Sequence, residues 1–233
     1  MEPEASDPMA AAIGRFATLV QGDPGAVPLD ETALALSAVL QPELDVIGWL
    51  ATLDDLAAAC ATPTRSGVLA HVCGELGFEG DRRRYGDWRN SCLDRVVAQR
   101  RGIPITLSAV VIEVARRVGV RLVGVGMPAH FLVGDPDDPD WFADPFNGGH
   151  ELDRDGCREL LESLTHGQVP WRDTHLAPTP TRAVIARMLN NLKAAFTQQH
   201  DPVRLALVMR MRAAVPELAG EVGEAARAQA AFN

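Results

Sequence analysis

The chain has 233 residues, 47% apolar and 23% charged, and its net charge at pH 7 is −9. These proportions are those of a folded globular protein and exclude intrinsic disorder for the bulk of the chain. No basic stripe stands out against the acidic excess, so a nucleic acid is not an expected partner. No apolar run approaches the roughly 18 residues of a membrane span, and the acidic start Met1–Glu4 does not look like a secretion signal. We therefore expect a cytoplasmic protein that binds neither nucleic acid nor membrane.

The cysteines do not have the spacing of a metal site or of a redox pair; they are Cys60, Cys73, Cys92 and Cys157. We expect free thiols, with Cys60, Cys73 and Cys157 serving as packing residues on apolar helix faces. The metal-binding residue types at His130, Asp144 and His150 match no known compact site. The sequence thus predicts neither a metal nor a cofactor.

The N-terminal part is predicted to be helical after a flexible segment. Residues 1–28 are rich in Pro, Gly and Ala, with one weak helical pattern over 10–20. Amphipathic patterns then predict helices over 31–40, 46–60 and 66–76. The polar, arginine-rich stretch 79–90 is interpreted as a surface loop.

The middle of the chain predicts a buried helix followed by a small antiparallel sheet. Nearly every residue from Ile105 to Val118 is apolar, Pro104 suits the first helical turn, and Gly119 ends the run. Short β segments follow at 121–127, 129–134 and 141–144, and Asn147–Gly149 is typical of a hairpin turn. A buried helix packed on a meander of three or four strands is an α+β core.

The C-terminal part is predicted to be helical after a proline-containing linker at 176–181. Helices are expected over 181–199, 203–214 and 217–230, and the first two span close to the ~34 residues of one tetratricopeptide unit. They should form an antiparallel hairpin through apolar residues at helical spacing, namely Ile185, Leu189, Leu192, Phe196, Leu205 and Val208. The predicted domains are a flexible segment 1–28, a central domain 29–175 and a helical tail 181–233.

Two residues of the predicted sheet, His130 and Asp144, have the chemistry of a catalytic pair. A histidine can take the proton of a nucleophile while a carboxylate orients the imidazole ring. They lie on consecutive β segments, so we expect their side chains to be hydrogen bonded across neighbouring strands. Taken alone, His130 is better explained as a core histidine bonded to a backbone carbonyl.

Three motifs in combination resemble the SirB branch of the transglutaminase-like superfamily. They are R-R-G-I-P-I at 100–105, G-M-P-A-H-F-L-V at 126–133 and D-P-F-N-G-G at 144–149. The resemblance implies a bacterial protein with a papain-like α+β core, flanked by N-terminal helices and a tetratricopeptide-like helical hairpin. It also implies a cleft beside His130 and Asp144, lined by Asn90, Ser91, Arg101, Pro104, Thr106 and Asn147.

The resemblance places a proline where active members of the superfamily carry their nucleophile. Those proteins hold a cysteine at the start of the core helix, and counting back from Gly119 leads to Pro104. The neighbours Ile103 and Ile105 offer no nucleophile, and Thr106 and Ser108 carry only hydroxyls. The favoured interpretation is a degenerate member that binds a protein or peptide through the remaining cleft or the helical tail.

Two alternatives stay open. In the first, Cys92, which we place within an amphipathic helix, or a hydroxyl near Pro104 serves as the nucleophile of an active hydrolase or transamidase with His130 and Asp144. In the second, the cleft is closed and only the tail binds a partner. The runs Arg82–Arg84 and Arg100–Arg101 are interpreted as solvated charge that could also meet an acidic partner.

Overall fold

The computed structural model describes residues 8–220, and the chain divides into two compact units. One unit joins the chain up to Val46 with the chain from Thr181 onward, and the other runs from Ile47 to Pro180. Within the described residues, no helix is long and apolar enough to cross a membrane. The domain boundaries drawn from the sequence stay predictions, but this grouping differs from them because it places residues 29–46 with the tail.

The first unit is a cluster of helices from both ends of the chain, namely α1 (Pro8–Leu19), α2 (Leu29–Leu40), α8 (Thr181–Gln198) and α9 (Pro202–Ala214). Helix α1 lies inside the segment expected to be flexible, and its Phe16 is fully buried. Arg182 ties the two ends together, because it donates to the carbonyl of Gly22 at 2.6 Å and to Glu217 Oε1 at 2.8 Å. Contacts between such distant segments leave no local signal in the sequence.

The tail forms the hairpin that the apolar spacing predicts. Helices α8 and α9 pack against each other, and Asp201 caps α9 by accepting from the backbone N–H of Arg204 at 3.0 Å. Of the expected contact residues, Leu205 is partly buried and the others are buried, namely Ile185, Leu189, Leu192, Phe196 and Val208. The tetratricopeptide-like character stays a prediction. The structure does not describe residues 1–7 of the predicted flexible segment or residues 221–230 of the predicted third tail helix.

The second unit begins with helical segments and a short parallel strand pair. These are α3 (Val46–Ala58), α4 (Arg65–Leu69), a π-helical turn (Ala70–Glu75), β1 (Glu79–Gly80), a 3₁₀ turn (Trp88–Ser91), α5 (Leu93–Gln99) and β2 (Arg101–Gly102). Strands β1 and β2 pair with Gly80 opposite Gly102. The stretch interpreted as a surface loop therefore carries a strand and a helical turn at its two ends.

The core helix is α6 (Pro104–Arg117), which begins where the sequence predicts. Its central residues Val110, Val111 and Val114 are fully buried. The burial differs from the prediction at one turn, because Ile112 is partly exposed whereas Glu113 is buried. The buried Glu113 carboxylate accepts from Arg117 Nη1 at 2.7 Å, which explains how the helix tolerates it.

Helix α6 packs on a five-stranded antiparallel sheet with the order β6-β5-β4-β3-β7. The strands are β3 (Val123–Val125), β4 (Leu132–Asp135), β5 (Asp138–Asp144), β6 (His150–Leu152) and β7 (Pro178–Thr179). The sequence predicted three or four strands because β7 lies in the stretch interpreted as a linker. Pro178 is tolerated there because β7 is an edge strand, where one backbone N–H is not needed for pairing.

Both faces of the sheet are covered. Helix α7 (Arg154–Thr165) packs against β5 and β6, and its Cys157 belongs to an apolar cluster with Leu132 and Phe142. The alternate residues Val133 and Ala143 point to the opposite face and are also fully buried. The unit is therefore an α+β core, as the sequence predicts.

Candidate functional site

His130 lies on the turn that leads into β4 and is 5% exposed. Ala129 before it has a φ of 61°, in the left-handed region that residues other than Gly, Asn and Asp rarely adopt. The turn is closed by the His130 N–H, which donates to the Met127 carbonyl at 3.2 Å. The His130 imidazole is thus held by a strained turn and not by a regular strand.

The expected hydrogen bond between the pair is present. His130 Nε2 lies 2.8 Å from Asp144 Oδ2. Asp144 is the last residue of β5, whereas His130 lies two residues before β4 and not on the neighbouring strand, where the sequence had placed it. Because Nε2 faces the carboxylate, Nδ1 is the nitrogen that a nucleophile would have to reach to form a catalytic constellation.

Asp144 accepts hydrogen bonds from other groups besides His130. Its Oδ1 accepts from the backbone N–H groups of Phe146 at 3.0 Å and Asn147 at 3.3 Å, so it caps a 3₁₀ turn over Pro145–Asn147. Its Oδ2 also accepts from Asn147 Nδ2 at 2.5 Å. The side chain is 2% exposed, and four donors compensate for the burial of its carboxylate. This aspartate therefore organises the whole D-P-F-N-G-G motif.

The start of α6 carries no nucleophile. Pro104 is its first residue, after Ile103 in an extended conformation. The Thr106 hydroxyl donates to the Asn90 carbonyl at 2.6 Å and lies 3.1 Å from the Ile103 carbonyl, while Ser108 Oγ lies 3.5 Å from the Phe131 carbonyl. Both hydroxyls near Pro104 therefore face backbone carbonyls.

Cys92 lies at the N-terminal cap of α5, so its predicted position within a helix is wrong. The helix begins one residue later because the Cys92 N–H closes the preceding 3₁₀ turn by donating to the Arg89 carbonyl at 3.1 Å. The Cys92 side chain is completely buried. A substrate cannot reach a thiol in that position without local opening of the unit.

Cys73 lies closer to the pair than the sequence indicates. It sits on the π-helical turn, and a Cβ built on Gly149 would come 3.1 Å from its Sγ. Burial, and then the nearby Asp144 carboxylate, raise the pKa of the Cys73 thiol to about 12. Burial, followed by Asp153 and Asp144, raises the pKa of Cys157 to about 12 as well. Both are therefore protonated near neutral pH and are poor nucleophiles.

The other predicted cleft residues divide into two groups. Asn90 and Ser91 are buried, and Asn90 Nδ2 donates to the Arg84 carbonyl at 2.7 Å. Arg101 is partly exposed and forms an ion pair with Glu79. Asn147 is exposed, and its Oδ1 accepts from Arg82 Nη2 while its amide nitrogen bonds to Asp144. Asn147 thus connects the buried pair to the surface.

Phe146 is a site residue that sequence reasoning missed. Its ring packs edge-on against His130 at 6.0 Å and against Tyr85 at 5.8 Å between ring centroids. The Arg82 guanidinium lies 5.0 Å from the centre of the same ring. Strand β1 approaches so closely that a Cβ on Gly80 would come 2.5 Å from the ring. Its place inside the D-P-F-N-G-G motif was the one available signal.

Metal ligation has no geometric basis in the described part of the chain. No group of three or more His, Cys, Asp or Glu residues within 8–220 is placed to hold a metal ion. His150 pairs with Asp144 in the register of β5 and β6, and its side chain is exposed.

The sequence of this chain is similar to those of a known protein family. The sequence model of the transglutaminase-like superfamily matches residues 36–190. A UPF0162 protein of Xylella fastidiosa is 36% identical over 197 residues, which cover 77% of this chain and 68% of the relative. A UPF0162 protein of Vibrio cholerae is 28% identical over 197 residues, covering 78% and 71%.

Protein SirB1 of Salmonella typhimurium is 26% identical over 136 residues, which cover 58% of this chain and 50% of SirB1. None of the solved structures matches the chain. The family model spans the core helix, the His130 turn and the Asp144 motif together. The chain therefore belongs to the transglutaminase-like superfamily, in its SirB-type branch.

Proposed function

We propose that this chain is a catalytically inactive transglutaminase-like protein that binds a protein or peptide segment over the His130–Asp144 pair. The observation that carries the proposal is Pro104 at the first position of α6. A helix N-terminus stabilises a thiolate placed there and lowers its pKa. A proline at this position has no nucleophilic side chain, so the His130–Asp144 pair has no nucleophile to activate.

The state of the cysteines supports the same proposal. Cys92 is completely buried, and the raised pKa values of Cys73 and Cys157, about 12 for each, keep both thiols protonated near neutral pH. The alternative of a hydrolase or transamidase that uses Cys92 requires a reactive and accessible thiol, and the burial of Cys92 argues against it.

The retained pair has a structural role that does not require catalysis. The Asp144 carboxylate fixes the turn that carries Phe146 and Asn147. Over this turn lie Tyr85, which is 50% exposed, and the exposed Arg82. Tyrosine and arginine are the residue types that most often dominate binding interfaces. The relic site therefore presents a shaped and partly aromatic surface to a partner.

Thiol reactivity tests the inactive half of the proposal. Alkylation by iodoacetamide should be slow near neutral pH in the wild type and in Cys92→Ser, because Cys92 is completely buried and the Cys73 and Cys157 thiols are protonated. A Pro104→Cys variant places a thiol at the helix N-terminus, which should lower its pKa below the ~8.5 of an ordinary cysteine. Because Pro104 is buried, this pKa is followed by the ultraviolet absorbance of the thiolate and not by alkylation. Fast alkylation of the wild type at pH 6 that Cys92→Ser abolishes would establish the enzyme instead.

Selection from a random peptide display library tests the binding half. Peptides enriched on the intact protein should bind Tyr85→Ala about tenfold more weakly or worse. The matched control is Leu164→Ala, which removes a 43% exposed apolar side chain from α7 and should leave binding unchanged. Peptides whose affinity is unchanged in Tyr85→Ala but falls when α8 or α9 is altered would favour the closed-cleft alternative, in which only the tail binds.

A further inference from the structure

We infer that an arginine groove beside the His130–Asp144 pair binds the carboxylate of an acidic peptide. The inference rests on the proposed function and specifies the chemistry of its ligand. The groove has a volume of about 650 Å³, and its charged lining consists of Glu79, Asp81, Arg82, Arg83, Arg84 and Arg101. Four arginines against two carboxylates leave an excess of two positive charges in a protein whose net charge is −9.

The acidic residues of the groove are already paired. Asp81 lies 3.6 Å from Arg84, and Glu79 pairs with Arg101. Within the described residues, neither Arg82 nor Arg83 has a carboxylate within ion-pair distance. Two adjacent exposed guanidinium groups are thus the part of the groove that is not neutralised from within the chain.

Arg82 is held in place before any ligand arrives. Its guanidinium lies over the Phe146 ring at 5.0 Å and donates to Asn147. It is thereby attached to the turn that Asp144 caps. A donor whose orientation is fixed in advance loses less conformational entropy on binding, so the groove is better suited to recognition than a mobile surface arginine.

The base of the arginine loop is fixed as well. Asp81 is buried, and its carboxylate accepts from the Arg84 N–H at 2.9 Å and from Asn90 Nδ2 at 3.3 Å. The backbone that carries Arg82 and Arg83 is therefore closed into a turn by a buried side chain. This construction distinguishes the groove from a run of solvated charge, which was the simpler interpretation of these arginines.

The charge pattern favours a peptide carboxylate over a nucleic acid. One guanidinium binds one carboxylate with two parallel hydrogen bonds, and two available arginines match one or two such groups. A nucleic acid needs a track of several cations, whereas Glu79 and Asp81 place negative charge within this groove. The carboxylate can come from acidic side chains or from a chain terminus, and both have the same recognition chemistry.

Fluorescence anisotropy with three labelled peptides of otherwise equal composition tests the inference. The first carries Asp and Glu side chains and an amidated end, the second has only a free C-terminal carboxylate, and the third replaces the acids by Asn and Gln and is amidated. Either or both of the first two should bind, more tightly at low ionic strength, and the third should not. The difference between the first two peptides identifies the source of the carboxylate.

Matched double variants locate the site. Arg82→Gln with Arg83→Gln should weaken binding of the acidic peptide about tenfold or more, because charge-assisted hydrogen bonds are lost. Arg121→Gln with Arg158→Gln removes the same net charge from residues that are 73% and 52% exposed and should change binding less than about twofold. Arg83→Gln alone, which leaves the Phe146 contact intact, should show part of the loss even if the double variant folds poorly.

Equal losses in the two double variants, or equal binding of the neutral peptide, would overturn the inference. Stronger competition by a short RNA or by inorganic phosphate than by the carboxylate peptides would overturn it as well. If peptides selected by display bind the wild type and the Arg82→Gln, Arg83→Gln variant with equal affinity, the groove assignment fails while the proposed function stands. Fast, Cys92-dependent alkylation would instead refute the proposed function.

Discussion

Replacing Asp144 tests whether the His–Asp pair is retained for structure. In Asp144→Ala, the His130 Nε2 loses its acceptor Oδ2 and the buried N–H of Phe146 loses its acceptor Oδ1. Each unpaired buried donor costs about 1–3 kcal/mol, so the free energy of unfolding should fall by about 2–6 kcal/mol. Asp144→Asn keeps one carbonyl oxygen, and His130 can change tautomer to accept from the new amide. Its cost should therefore be lower, about 1–2 kcal/mol.

Denaturant unfolding followed by tryptophan fluorescence measures this change. All four tryptophans, Trp49, Trp88, Trp141 and Trp171, belong to the unit that runs from Ile47 to Pro180, so the signal reports on the unit that contains Asp144. The control is Asp137→Ala, whose side chain is 71% exposed and 3.6 Å from Arg121. An exposed pair of that kind contributes about 0–1 kcal/mol.

An Asp144→Ala variant whose stability lies within about 0.5 kcal/mol of the wild type would refute a structural role of this carboxylate. In that case the four hydrogen bonds to the carboxylate would not hold the motif together, and its retention would call for a chemical explanation. An alanine variant no less stable than the asparagine variant would likewise contradict the assignment of the donors.

Two further predictions concern the surroundings of the pair. Gly80→Ala places a Cβ 2.5 Å from the Phe146 ring and should destabilise the unit by about 1–3 kcal/mol in the same fluorescence assay, whereas Gly74→Ala, with no atom within 4 Å, should be neutral or slightly stabilising. The folded protein holds the protons of Cys73 and Cys157 up to a pKa of about 12, against an ordinary value of 9.0. The contribution of each protonated thiol to the free energy of unfolding is therefore present below pH 9. It falls above pH 9, by about 1 kcal/mol for each thiol at pH 10. Unfolding of Cys73→Ala as a function of pH should show a shallower fall, and an unchanged fall would contradict the burial of that thiol.

Local sequence patterns were sufficient for the features that depend on neighbouring residues. The apolar run with Pro104 at its start and Gly119 after it predicted the core helix, because helix boundaries and burial leave a local signature. The alternation and turn residues between 121 and 153 predicted most of the sheet. The chain order of His130 and Asp144, together with the motifs around them, predicted their hydrogen bond, although His130 lies two residues before β4 and not on a strand.

Features that depend on distant segments were decided only by the tertiary structure. Strand β7 is two residues long and contains a proline, so no pattern marks it, and only its pairing with β3 makes it a strand. The grouping of the N-terminal helices with the tail depends on contacts such as that of Arg182 with Gly22.

The same limit applies to the candidate site. Cys73 and Phe146 approach the pair because a π-helical turn and a 3₁₀ turn bring them there, and neither turn has a sequence period of its own. In the sequence, Arg82 and Arg83 were interpreted as solvated charge that could also meet an acidic partner. Only the packing of Gly80 and Arg82 against Phe146 places them beside Asp144, because side-chain proximity across the fold is a property of the packed chain and not of its order.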